Sequence, residues 1–132
     1  MESETQKTLK ELFCNQLLEF MDDILSVFPN NLDLKTGKTF IVGLTKVSKR
    51  KLIGIWKTSV VDVYEEAIMN GDKEYFINKD YSNDLGEGGT DKMISVIEDV
   101  RGLIRNTSEE NKNKAIKYLQ NLTKICKIYY AN

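Results

Sequence analysis

Apolar residues recur at steps of three and four along nearly the whole chain, the spacing that lines one face of an α-helix. Leu9, Leu12, Phe13, Leu17, Phe20, Met21, Ile24 and Leu25 form the first such stripe. Ser3 stands ahead of it with Gln6 three residues on, so the hydroxyl can cap the helix while the glutamine reaches back. Pro29 with Asn30 and Asn31 ends it, because proline disfavours helical geometry in Phe28 before it. A second strong stripe runs through Leu52, Ile53, Trp56, Val60, Val63, Tyr64, Ala67 and Ile68. Ser48 caps its start, and Asn70-Gly71 supplies a left-handed stop. Thr90 or Asp91 opens a third, with Met93, Ile94, Ile97, Val100 and Ile104 inward. Ser108, with Glu109 and Glu110 suited to the helix dipole, opens the last: Ala115, Ile116, Leu119, Leu122, Thr123, Cys126 and Tyr129.

Between the first two strong stripes the pattern weakens. Over 32–47, Leu34, Phe40, Ile41, Leu44 and Val47 fit a helix, yet Gly37, Gly43 and three threonines lower its propensity. Lys38 to Val42 is equally compatible with a short strand; the spacing favours the helix. Asp72 can cap a single turn carrying Tyr75, Phe76 and Ile77, and 78–89 reads as the one long loop. The pattern therefore predicts an all-α fold. Its form is a single-domain bundle over 1–132, with four long helices plus one or two short helices.

Composition adds that the chain is an ordinary globular one: 132 residues, 41% hydrophobic and 30% charged. No apolar run approaches the length of a membrane span. The acidic start, Met1-Glu2-Ser3-Glu4, is unlike a secretory or transit leader. Cys14 and Cys126 fall inside helical stripes and read as buried free thiols of a reducing, intracellular setting.

Charge is sorted into blocks. Residues 1–34 carry seven acids against Lys7 and Lys10, and 35–57 carry seven cations and no acid. Residues 58–100 carry eleven acids against Lys73, Lys79 and Lys92; 101–132 carry seven cations against Glu109 and Glu110. The near-neutral net charge of −1 hides this sorting, which predicts a polarised surface suited to protein partners or to another copy of the chain.

The catalytic inventory is short. There is no histidine, so Ser-His-Asp and Cys-His nucleophiles and histidine-based metal sites are excluded. Gly86-Glu87-Gly88-Gly89 has the wrong spacing for a phosphate or dinucleotide loop. A hydrolase would have to collect two of Asp72, Asp80, Asp84, Glu87 and Asp91. Asp80 to Asp91 can be set against a calcium loop, with Asp80, Ser82, Asp84 and Asp91 at ligand positions. Leu85 replaces the turn glycine there and the twelfth position is the shorter Asp, so a polar surface loop is the better reading. No cofactor, metal or catalytic residue is expected.

Tyr75, Lys79, Asp80, Tyr81 and Asp84 instead suggest an exposed aromatic and acidic docking surface. The opposing reading folds Tyr75 and Phe76 back onto the bundle. The basic blocks 35–57 and 101–132 offer lysines to phosphates. A pI near 5.6, scarce arginine and no aromatic platform weigh against nucleic acid.

Three stretches in order, LFCNQLLEFMDDILSVFP at 12–29, GDKEYFINKDYSNDL at 71–85 and SEENKNKAIKYLQNLTKICKIYY at 108–130, resemble small helical proteins of large nucleocytoplasmic DNA viruses. The segment 32–47 departs most from that resemblance. It implies a viral protein working in the host cytoplasm or packaged in the virion, in keeping with the Lys, Asn and Ile bias, and it carries over no site residue. The expectation is a non-enzymatic viral protein acting through protein contacts, as a minor capsid-associated component. The alternative is a regulatory or nucleic-acid-associated factor using the basic blocks.

Overall fold

Capping and periodicity place the helices of the computed structural model, which describes residues 2–78 and 91–132. The elements are α1 (Glu4–Val27), α2 (Leu32–Val47), α3 (Lys49–Trp56), a π-helical turn (Lys57–Val61), α4 (Asp62–Met69), α5 (Lys73–Asn78), α6 (Asp91–Arg105) and α7 (Glu109–Ala131). No strand occurs among the described residues. The all-α reading holds, and the ambiguous 32–47 is helix α2.

The expected caps at Ser3, Ser48, Gly71, Asp72 and Ser108 are in place, while Thr90 lies outside the described residues. Ser3 Oγ accepts from Gln6 N while Gln6 Oε1 accepts from Ser3 N, completing the capping box. Asn31, Ser48 and Ser108 each accept from the backbone N–H three residues on. Asp72 Oδ1 does the same for Tyr75 N at 3.1 Å. Gly71, at φ 73°, closes α4 in the left-handed region that favours glycine.

α1 and α7 form the central antiparallel pair. Their register is pinned by Gln6 Nε2 donating to the Tyr129 carbonyl at 3.2 Å and Asn121 Nδ2 to Gln16 Oε1 at 3.4 Å. Tyr118 OH adds a bond to Asp23 Oδ2 at 2.6 Å. The α3–π–α4 run crosses α7, where Gln120 Nε2 donates to the Ile68 carbonyl and Cys126 Sγ to that of Ile53. α6 lies along α2, with Val96 over Gly37.

These helices enclose one core. Phe13, Leu52, Ile53, Ile68 and Leu122 are wholly shielded. Burying a large apolar side chain contributes about 1.5–3 kcal/mol, so the shared centre, rather than helix propensity, holds the bundle. The α7 stripe is buried residue for residue as the spacing predicted.

Two stripe assignments are corrected. Leu12 is 49% exposed, because the inward arc of α1 centres on Phe13, Leu17 and Ile24 and the neighbouring position lies about 100° away. Val47 is 83% exposed: it is the last residue of α2, and the chain turns away at Ser48. The π turn was not legible either. Asp62 N–H reaches the Lys57 carbonyl five residues back, and the extra residue shifts the buried face, so Ser59 and Val61 join Val60 inside.

Candidate interaction surfaces

Of the expected docking residues, the structure describes Tyr75. It is 43% exposed on α5, with its ring 6.3 Å from the buried Tyr64. It borders a shallow depression shared with Glu66, Ala67, Asn70 and Asp72. The Tyr75 ring thus lies near the bundle while the residue stays partly exposed, and the Phe76 side chain lies outside those described. Lys79, Asp80, Tyr81 and Asp84, together with the calcium-loop reading of Asp80 to Asp91, lie outside the described residues or side chains.

The charge blocks largely meet one another. Lys38 pairs with Asp22 and Lys49 with Glu11, joining the basic 35–57 stretch to acidic α1. Lys57 pairs with Asp62, and Lys127 of α7 with Glu65 of α4 at 2.8 Å. Lys73 reaches Glu109 at 2.8 Å and holds its carboxyl below the usual range. Pairs as exposed as these contribute about 0–1 kcal/mol each, enough to guide register and little more. The expected polarised surface is therefore reduced to what these pairs leave over. Lys35, Lys46, Arg50, Lys51, Lys114, Lys117 and Lys124 remain exposed without an ion pair.

The chain start is held down by a small network. Lys10 donates to Glu2 at 2.6 Å, and Tyr129 OH donates to the same carboxylate. The lysine and tyrosine bonds hold Glu2 below the ordinary carboxylate range, while burial and Glu2 push the Tyr129 phenol up to about 12. Both thiols are buried and free; burial pushes Cys14 up to about 11 and Cys126 up to about 12. At neutral pH each is a protonated thiol, packed as an apolar group instead of presented as a nucleophile.

A surface that the stripe assignments concealed lies along the outer groove of α1 and α7. Thr8, Leu12 and Gln16 follow one another at helical spacing on α1, as do Asn121, Ile125 and Ile128 on α7. The register set by Gln6–Tyr129 and Gln16–Asn121 brings Leu12 level with Ile125, one turn from Ile128. Leu12 and Ile128 are 49% and 50% exposed, and Ile125 is half-buried. None of these six positions is charged, in a chain that is 30% charged. The signal was readable as two uncharged stripes at matching spacing, but only the antiparallel register joins them. No helix among the described residues is long and apolar enough to cross a membrane.

Compared with known proteins, the chain matches no protein family, no curated protein and no solved structure.

Proposed function

We propose that this chain is a non-enzymatic protein that works by docking other proteins, with the outer α1–α7 groove as its main contact surface. The observation that carries this reading is the half-exposed pair Leu12 and Ile128 in an uncharged strip. Interface centres are depleted in charge and gain from apolar side chains left partly wet in the free protein. Tyr75, 43% exposed, offers a second anchor of the residue type that often dominates interface energetics. The viral resemblance extends the reading to a minor capsid-associated component, in the host cytoplasm or the virion. A nucleic-acid role is less well supported, because Lys38, Lys49, Lys57 and Lys127 already engage carboxylates.

A photo-crosslinking residue placed at Leu12 or Ile128 in infected cells tests the surface. Discrete adducts are expected there and not from the same probe at Thr36, exposed on α2. Leu12→Glu with Ile128→Glu should abolish them while thermal stability changes little. Equal crosslinking from all three positions, or none from the groove, overturns the surface assignment. Fractionation of purified particles tests the placement: retention until denaturant is added fits a capsid-associated role. Early synthesis and absence from particles would move the reading to a regulator.

A further inference from the structure

The two walls of the α1–α7 groove differ in sign beyond its uncharged strip. Past the Gln16–Asn121 hydrogen bond, Glu19 and Asp23 of α1 and Lys114 and Lys117 of α7 line one shallow depression with Tyr118. In the antiparallel register set by that bond, Glu19 stands level with Lys117, and Asp23 with Lys114. Among the described residues, neither acid nor either lysine is in an ion pair. Glu19 instead accepts from Gln16 Nε2 at 2.8 Å, and Asp23 from Tyr118 OH at 2.6 Å. The Tyr118 ring stacks on Phe20 with centroids 5.1 Å apart, which fixes the floor between the walls. All four charged groups are exposed. Further along the same groove lie the half-exposed Leu12 and Ile128.

A surface with acids on one wall and lysines at the same levels on the other complements itself under one symmetry. A two-fold axis running along the groove lays α1 of each copy on α7 of the other and keeps every level unchanged. Glu19 then faces the partner's Lys117, Asp23 the partner's Lys114 and Leu12 the partner's Ile125, and each pairing occurs twice. An axis across the groove would lay α1 on α1 and set acids against acids or against Leu12. We infer that the groove is the face of a two-fold homodimer, in which α1 and α7 of both copies form a four-helix seam. The inference rests on the groove being the contact surface and goes further by naming its occupant, a second copy of this chain. An unrelated partner would need to bring the same ladder of charges; a second copy already carries it. Exposed ion pairs add little affinity each, so the apolar strip supplies the adhesion and the charges select the orientation.

Sedimentation equilibrium of the purified full chain tests it. A monomer–dimer equilibrium is expected, and Leu12→Glu with Ile128→Glu should shift it to monomer. Glu19→Lys and Lys117→Glu, each alone, should raise the dimer dissociation constant about tenfold, because each sets like charges together twice at a two-fold interface. Mixed in equal amounts, the two variants should form a heterodimer within about threefold of the original affinity, since the reversed charges face each other again. Both positions are exposed, and far-ultraviolet circular dichroism confirms that each variant is folded. Swaps that leave the dimer intact, or that do not rescue each other on mixing, overturn the inference. A chain that stays monomeric at its highest soluble concentration, while probes at Leu12 and Ile128 still capture a different protein in cells, overturns the dimer and spares the groove. A dimer indifferent to every groove substitution, with no adducts from the groove in cells, overturns both.

Discussion

Trp56 is 4% exposed at the end of α3, its ring meeting Phe13 edge-on with centroids 5.8 Å apart. Its indole Nε1 is buried without a partner, as are Ser59 Oγ in the π turn and Thr123 Oγ1 on α7. A buried donor with no acceptor forfeits the hydrogen bonds it made to water, a cost of about 1–3 kcal/mol. The sequence marks Trp56 and Thr123 as core positions, and both are; it does not show that their polar atoms lack partners, because that depends on the facing helix. Thr123→Val removes a hydroxyl that bonds nothing and keeps the branched shape. It should raise unfolding stability by about 1 kcal/mol in urea titration. A loss of similar size would mean that the hydroxyl is satisfied in solution.

At the scale of the element, α2 shows how two glycines of one helix come to mean different things. A Cβ on Gly37 would meet Val96 Cγ2 at 3.2 Å and Cγ1 at 3.3 Å, so that glycine lets α6 approach. A Cβ on Gly43 would meet nothing within 4 Å. Gly43→Ala should stabilise the protein by about 0.5–1 kcal/mol through helix propensity alone. Gly37→Ala gains the same propensity and loses more to overpacking against a stiff β-branched side chain, for a net cost of about 1–2 kcal/mol. Equilibrium unfolding of the two variants side by side checks this, and equal gains at both would discard the close approach. Sequence alone counts both glycines against a helix; the packing partner that explains Gly37 lies 59 positions away. The π turn was hidden for a similar reason. An extra residue within a continuous helical pattern leaves every i to i+4 relation plausible on either side of it.

For the whole molecule, electrostatics adjusts how helices joined by the apolar core meet, and it does so unevenly. Where α6 runs beside α2, Asp99 is pushed above its ordinary 3.8 by burial first, then by Asp33 and Glu98. The folded state thus holds the Asp99 proton more tightly than the unfolded chain does. The resulting penalty is absent below about pH 3.8, grows as pH rises through the shifted value and is fully present at neutrality. Asp99→Asn should therefore raise the melting temperature at pH 7, with the gain vanishing as pH falls toward 3.8. A gain that persists in acid would assign the effect to packing. Elsewhere the charge blocks cancel across the bundle, as Lys38 does with Asp22 and Lys127 with Glu65. The exposed cations left over are spread along the bundle, from Lys35 and Lys46 on α2 to Lys114, Lys117 and Lys124 on α7. The sequence by itself determined α1 and α7 with their caps and buried stripes, the cap of α3 and the lack of histidine chemistry, because these depend on residues within a turn or two of one another. Only the tertiary structure decided that Leu12 and Val47 stay outside, which carboxylate meets which lysine, and that two uncharged stripes become one groove. Periodicity fixes the direction in which a helix faces, whereas the width of its covered face and the neighbours across it come from helices distant in the chain.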